Sequence, residues 1–318
     1  VKAFTDPGDA ILIQNPVYYP FTNIIRDNDR KVVDNTLVYH SVTERTVVPV
    51  TTDDASEQQI NNVGTVSPAY QIDFEDFERK IEQEHVKLFI LCNPHNPVGR
   101  VWTVEELQKL GEICLRHHVI VVSDEIHNDF VYPGYEHTVF ANVDPRFAEF
   151  TLTCTAPSKT FNLAGLQISN IFIPNENLRK AFKTEIDRTG YDEPNALGVV
   201  ACEAAYRAGE DWLDQLKAYL LKNLNFLRDF LQEKLPQIHL VEPEGTYLVW
   251  LDCSELGITG KELDQFIVDK AGLWLDGGSM FGPDGAAFQR VNIACPQATL
   301  ELALNKLKAA VEGYGTHL

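Results

Sequence analysis

Lys159 stands in the stretch Thr155-Ala156-Pro157-Ser158-Lys159-Thr160-Phe161-Asn162-Leu163-Ala164-Gly165-Leu166, between an apolar, strand-like run and a turn of small residues. An amine held at the end of a strand and aimed into a partly dry cleft can lose its proton and form a Schiff base with a carbonyl, which a solvated lysine rarely does. A lone Ser-Lys pair in a loop is more often an ordinary surface lysine. The neighbours must decide.

Upstream, the apolar run Val119 to Ser123 makes Asp124, rather than Glu125, the first residue past a strand. Taken singly, an aspartate there is more often a turn cap. A carboxylate at one strand end with a lysine at another suits a cofactor that has a basic ring nitrogen and a phenolic oxygen. Pyridoxal 5'-phosphate has both, and its ring needs an acidic partner to act as an electron sink. In Cys92-Asn93-Pro94-His95-Asn96-Pro97-Val98-Gly99-Arg100, two Asn-Pro steps and a glycine predict a rigid turn. Asn96 could donate from it to the phenolic oxygen, or the turn is simply structural. Asn15-Pro16-Val17-Tyr18-Tyr19-Pro20 offers Tyr18 as a ring to stack on a flat heterocycle, although packing is the commoner role. Late in the chain, Arg290 sits inside the apolar run Phe288 to Ala294. Its planar fork must be paired, either with a structural Asp or Glu or with a substrate α-carboxylate.

These residues need a scaffold, and the rest of the sequence describes one. Short β-rich runs alternate with helical periodicity: strands at Ala10 to Gln14, Arg45 to Val50, Leu88 to Cys92, Val119 to Ser123, Thr151 to Thr155 and Asn170 to Ile173. Helices are expected from about Phe21, over Phe74 to Glu84, over Val104 to His117 and over Asn177 to Arg188. That order predicts an α/β fold with a mostly parallel sheet covered on both faces, whose strand ends carry active groups. Asn93, Asp124 and Lys159 then fall along one sheet edge. From Asn195 to Leu235 the pattern is helical with a restart after Gly209, and Pro236 stops it. Strands near 238–241, 247–251 and 290–294, with helices over 260–271 and 298–311, complete a smaller α+β domain. The division expected is a large domain over 1–208 and a small one over 209–318. The polar segment Thr51 to Ser67 reads as an exposed loop or hairpin.

Composition bounds the partners. The net charge of -19 disfavours phosphate backbones and anionic lipid, which leaves a small molecule or another protein. No apolar run approaches a membrane span. Six cysteines without CxxC spacing predict a reducing cytoplasm, no disulfides and no metal. Val1-Lys2-Ala3-Phe4-Thr5, without an initiator methionine, reads as the last turn of a helix, so the chain is expected to begin inside a domain.

The segments NPHNPVG (93–99), SDEIH (123–127), SKTFNLAGL (158–166) and FQRVNIA (288–294), in this order, resemble the fold-type-I pyridoxal-phosphate enzymes of the class I/II aminotransferase superfamily. The resemblance covers essentially the whole chain. His127 and the wording APSKTFNLAGLQ are most similar to the carbon-sulfur β-lyase branch, that of cystathionine β-lyases. It implies Lys159 as the Schiff-base lysine, Asp124 as partner of the pyridinium, Asn96 as ligand of the phenolic oxygen, Tyr18 as stacking ring and Arg290 as α-carboxylate anchor. It also implies a homodimer with a shared active site, and a glycine-rich phosphate-binding turn upstream of Val1.

Three departures accompany it. His127 stands where the superfamily's aminotransferases usually have tyrosine, close to the phenolic oxygen. Gln167 stands where many members have a phosphate-binding arginine, and Ala156 where many have serine, so Ser158 and Thr155 become the local phosphate candidates. The activity implied is cleavage of cystathionine or a related S-substituted cysteine to thiol, pyruvate and ammonia. Transamination between an amino acid and a 2-oxo acid is the alternative, and a non-catalytic sensor domain that binds the cofactor or an amino acid is the second.

Overall fold

The computed structural model describes residues 1–41, 47–48, 65–66, 69–191 and 193–315. Its centre is a six-stranded sheet in the spatial order Asn170–Phe172, Thr151–Thr155, Ile120–Asp124, Leu88–Cys92, Ala10–Ile13, Lys31–Asp34. All neighbours are parallel except Asn170–Phe172, which runs antiparallel to Thr151–Thr155 at one edge. Ala10–Ile13, Leu88–Cys92 and residues 120–122 are continuous apolar runs because both faces are covered there. Leu12, Phe89, Leu91 and Val121 point to one side, into a cluster with Phe77, Trp102, Leu107 and Leu110. Ile11, Ile13, Leu88, Ile90 and Cys92 point to the other, against Val17 and Ile25. The period of two along each strand produces this division.

Helices Phe74–Glu84 and Val104–Arg116 form over the spans the periodicity predicts, each within a residue. The second starts at a capping box, in which Thr103 Oγ1 accepts from Glu106 N at 3.2 Å and Glu106 Oε2 accepts from Thr103 N at 2.9 Å. Lys31–Asp34 was not foreseen. Its four residues follow a polar turn and become a strand only by pairing with Ala10–Ile13. Of the strand expected over 45–50 and the polar segment 51–67, only 47–48 and 65–66 lie within the described residues, and these pair antiparallel. Val1 to Thr5 forms a turn, closed by Phe4 N to Val1 O at 3.2 Å, rather than a helix.

The second sheet is antiparallel, in the order His239–Val241, Leu248–Asp252, Phe288–Asn292, Asp276–Gly277. Val249 and Leu251 on one face pack with Leu220, Leu224 and Leu227 of helix Glu210–Lys234 and with Leu300, Leu304 and Leu307 of helix Gln297–Gly315. On the other face Trp250 stacks on Phe288 at 5.2 Å and its Nε1 donates to Tyr70 Oη at 3.1 Å, which seats the sheet on the first core. The strand carrying Arg290 runs from Phe288 to Asn292 rather than from 290 to 294. Asn292 Oδ1 accepts from Ala294 N at 2.8 Å, and this side-chain turn ends the strand early. The restart expected after Gly209 is the junction of helices Ala196–Ala208 and Glu210–Lys234. A Cβ on Gly209 would lie 2.3 Å from the Phe161 ring, so the junction packs directly on the loop that follows Lys159.

Candidate active site

Four neighbouring strands deliver their C-terminal ends to one cavity of about 530 Å³. Ala10–Ile13 leads to Tyr18, Leu88–Cys92 to Asn96, Ile120–Asp124 to Asp124 and His127, and Thr151–Thr155 to Ser158 and Lys159. This is where a parallel sheet presents its loops. Arg290 enters the same cavity from the second sheet, with Tyr247 and Asn292.

Asp124 is the last residue of its strand rather than the first beyond it, since it still pairs with Cys92 and Cys154. Its carboxylate accepts from Ile126 N at 3.2 Å. Burial pushes the carboxyl up to about 6, Glu125 adds to the effect and Lys159 opposes it. Glu125 is spent elsewhere. Fully buried, it accepts from Ser123 Oγ at 2.8 Å, His137 Nε2 at 3.0 Å and Phe140 N at 3.1 Å, and so ties the loop behind the strand. Of the two adjacent carboxylates only Asp124 lines the cavity.

Lys159 is the third residue of the short helix Pro157–Thr160, which begins on proline two residues after the strand. Thr160 is fully buried and donates from Oγ1 to Asp129 Oδ2 at 2.6 Å. This bond joins the lysine's helix to the loop that follows Asp124.

The turn that carries Asn96 is held from several sides. Trp102 Nε1 donates to Cys92 O at 2.9 Å, and Asn93 Oδ1 accepts from Trp102 N at 3.3 Å. Gly99, at φ +73°, carries the turn against Pro243, where a Cβ would lie 2.8 Å from the proline Cβ. Buried Arg100 pairs with Glu244 at 2.9 Å and Glu106 at 2.8 Å. Asn96 Oδ1 accepts from Arg290 Nη1 at 2.8 Å, which leaves the amide nitrogen of Asn96 as a donor.

Arg290 is also paired with Asp276 Oδ2, and its guanidinium lies 4.7 Å over the face of Phe281. The structural partner considered for it is therefore present. His127 is buried, with its ring edge-on to Tyr247 at 5.5 Å. Burial lowers its pKa to about 3, helped by Lys159 and Arg290, so the imidazole is neutral. Tyr18 sits beside Tyr19 and edge-on to Phe21, each at 5.6 Å, and burial raises its phenol. Thr155 lies on a smaller adjoining cavity of about 320 Å³ and does not line the one that holds Lys159, whereas Ser158 does. Gln167, at φ +52°, also lines the main cavity, with Ser169 beside it.

A pyridine-ring cofactor fits these donors. Asp124 offers a carboxylate to a ring nitrogen, and Asn96 offers an amide donor to a phenolic oxygen. The buried atoms His127 Nδ1 and Arg290 Nε have no hydrogen-bond partner among the described residues. Sequence reasoning missed Tyr247, Asn292, Ser169 and Asp276. Asn292 shares the quoted segment 288–294 with Arg290 and could have been found from it, one alternation further along the strand, whereas the others carried no local signal.

The sequence profile of aminotransferase class I and II matches residues 1–307. The chain belongs to that family. Within it, the chain is 44% identical over 311 residues to cystathionine beta-lyase PatB of Bacillus subtilis, covering 98% of this chain and 74% of that protein. It is 31% identical to protein MalY of Escherichia coli, covering 98% and 73%. Among solved structures it is similar to cystalysin from Treponema denticola, which contains a pyridoxal 5'-phosphate cofactor. The TM-score is 0.88 at 37% identity, covering 98% of this chain and 73% of cystalysin. The resemblance carried by the four sequence segments is thus that of an aminotransferase class I and II chain with marked similarity to carbon-sulfur lyases.

Proposed function

We propose that this protein is a pyridoxal 5'-phosphate-dependent carbon-sulfur β-lyase that converts cystathionine or a related S-substituted cysteine to thiol, pyruvate and ammonia. The observation that carries the reading is the 44% identity to cystathionine beta-lyase PatB along 98% of the chain. The gathering of Lys159, Asp124, Asn96 and Arg290 around one cavity supports it.

When bound, the cofactor supplies a protonated ring that takes up the electrons released at the substrate Cα. Asp124 would hold the proton at the ring nitrogen, and Asn96 would donate from Nδ2 to the phenolic oxygen. Tyr18 would lie against the ring and Ser158 would meet the phosphate end, whereas Thr155, which faces the adjoining cavity, is set aside. Arg290 binds the substrate carboxylate and so fixes which Cα bond faces Lys159. The Lys159 amine takes the Cα proton as general base. The Cβ–S bond then breaks, the thiolate leaves, and the three-carbon enamine hydrolyses to pyruvate and ammonia. Neutral His127 leaves the phenolic oxygen without the tyrosine that the family's aminotransferases usually place there. The similarity to cystathionine beta-lyase PatB favours elimination over transamination.

We further propose a cytoplasmic homodimer. All six cysteines are free, as a reducing compartment requires. No helix among the described residues is long and apolar enough to cross a membrane. Helix Ala196–Ala208 buries only Gly198, while Leu197 and Val200 are 70% and 65% exposed. This apolar face is the surface assigned to the second copy.

The deciding experiment incubates the purified protein, loaded with cofactor, with L-cystathionine and follows pyruvate. Pyruvate released without any 2-oxo acid acceptor, and absent with Lys159→Ala, is expected. Product formed only when an acceptor is added makes the protein an aminotransferase, and a visible absorbance band without turnover makes it a sensor.

A further inference from the structure

Asp276 and Arg290 face each other as register partners on adjacent antiparallel strands. Asp276 Oδ2 accepts from Arg290 Nη2, Asn96 Oδ1 accepts from Nη1 at 2.8 Å, and Phe281 covers the guanidinium plane at 4.7 Å. Three separate elements thus grip one side chain. The Arg290 side chain is 11% exposed, and Asp276 is 40% exposed. A guanidinium that far from water needs a counter-charge before any substrate arrives, or it turns toward solvent. Asp276 supplies it. Because Asp276 is itself partly solvated, its pull is screened, and it orients the fork without saturating it. Five N–H groups serve a guanidinium, and Asp276 and Asn96 account for two of them. The buried Nε has no partner among the described residues and remains a donor for an incoming carboxylate oxygen.

We infer that Asp276 is a positioning residue for substrate: it holds the Arg290 fork in its carboxylate-binding orientation while the cavity awaits an amino acid. The inference rests on the reading of Arg290 as the α-carboxylate anchor. Nothing in the local sequence Leu275-Asp276-Gly277 marks this role, which exists only through the strand register.

The test uses the holoenzyme with Asp276→Ala, Asp276→Asn and Arg290→Lys. Two quantities are read: KM against kcat for L-cystathionine, and the dissociation constant of L-alanine, which has no leaving group, from its change in the visible absorbance of the cofactor. Losing a hydrogen bond to a charged group predicts that Asp276→Ala raises KM and the alanine constant about tenfold, with kcat and cofactor affinity within about twofold. Asp276→Asn keeps the volume and an oxygen that accepts from Nη2 but removes the counter-charge, so it should fall between Asp276→Ala and the parent. A full return to parental values would show packing alone and overturn the inference. Asp276→Ala without effect on either quantity, while Arg290→Lys raises both, overturns the inference and leaves the anchor standing. Equal loss of cofactor and substrate affinity in Asp276→Ala overturns it as well. If Arg290→Lys changes neither quantity, the anchor reading falls and the inference falls with it.

Discussion

Arg290 Nη1 lies 2.8 Å from Asn96 Oδ1 and joins residues 194 positions apart, one on the second sheet and one on a loop of the first. A single hydrogen bond thereby connects the group assigned to the substrate carboxylate with the group assigned to the cofactor's phenolic oxygen. Arg290→Ala should raise KM for amino acids by about tenfold or more and weaken cofactor binding far less, since Asp124, Lys159 and Ser158 are untouched. Steady-state kinetics and a cofactor titration measure the two losses. Equal losses would make Arg290 a structural residue of the cavity wall.

The link between Thr160 and Asp129 places Lys159. Thr160→Val keeps the volume but leaves a carboxylate oxygen of Asp129 without its donor, at a cost of about 1–3 kcal/mol. Misplacement of the base should reduce kcat about tenfold or more while KM changes little. A double-mutant cycle with Asp129→Ala is expected to give a coupling of about 1 kcal/mol in stability. Additive effects would show that the helix is positioned by its proline and by Phe161 alone.

Asp124 and His127 make opposite contributions to the pH dependence of the cofactor-free protein. Asp124 has its folded pKa raised from 3.8 to about 6, so its favourable contribution is present below about pH 4 and lost as pH rises through 6. His127 has its folded pKa lowered from 6.5 to about 3, so its contribution is present above pH 6.5 and lost as pH falls toward 3. Relative to the parent, Asp124→Asn should therefore gain stability between pH 4 and 7. His127→Gln should gain in the other direction, from pH 7 to 4. Urea midpoints at pH 4, 5, 6 and 7 provide the comparison, and a variant-to-parent difference that does not change with pH would contradict the assignment.

Leu197 and Val200 lie on one exposed helix, and a homodimer through that face is sensitive to charge there. The pair Leu197→Glu and Val200→Glu should shift the protein to monomer in sedimentation velocity with little change in the far-ultraviolet spectrum. A dimer that persists would place the contact on another surface.

The local pattern alone determined much of this protein. Near-continuous apolar runs such as Leu88–Cys92 and residues 120–122, alternating with amphipathic helices, point to a parallel sheet covered on both sides. The turn residues that follow those runs then fall along one edge. Asn96, Asp124 and Lys159 were legible for that reason, and Arg290 because a charge inside an apolar strand must be paired. Tertiary structure decided what spacing does not encode. The apolar run already favoured Asp124 over Glu125, and the fold supplies the physical reason, the three donors that occupy Glu125. Thr155 turns to an adjoining cavity while Ser158 stays in the main one, because side chains alternate along a strand and the short helix resets the direction. Tyr247 and Asp276 enter the site only when strands from the far end of the chain take their register beside Arg290. Pairing at such separations is fixed by the burial of whole sheet faces, and no window of sequence contains it.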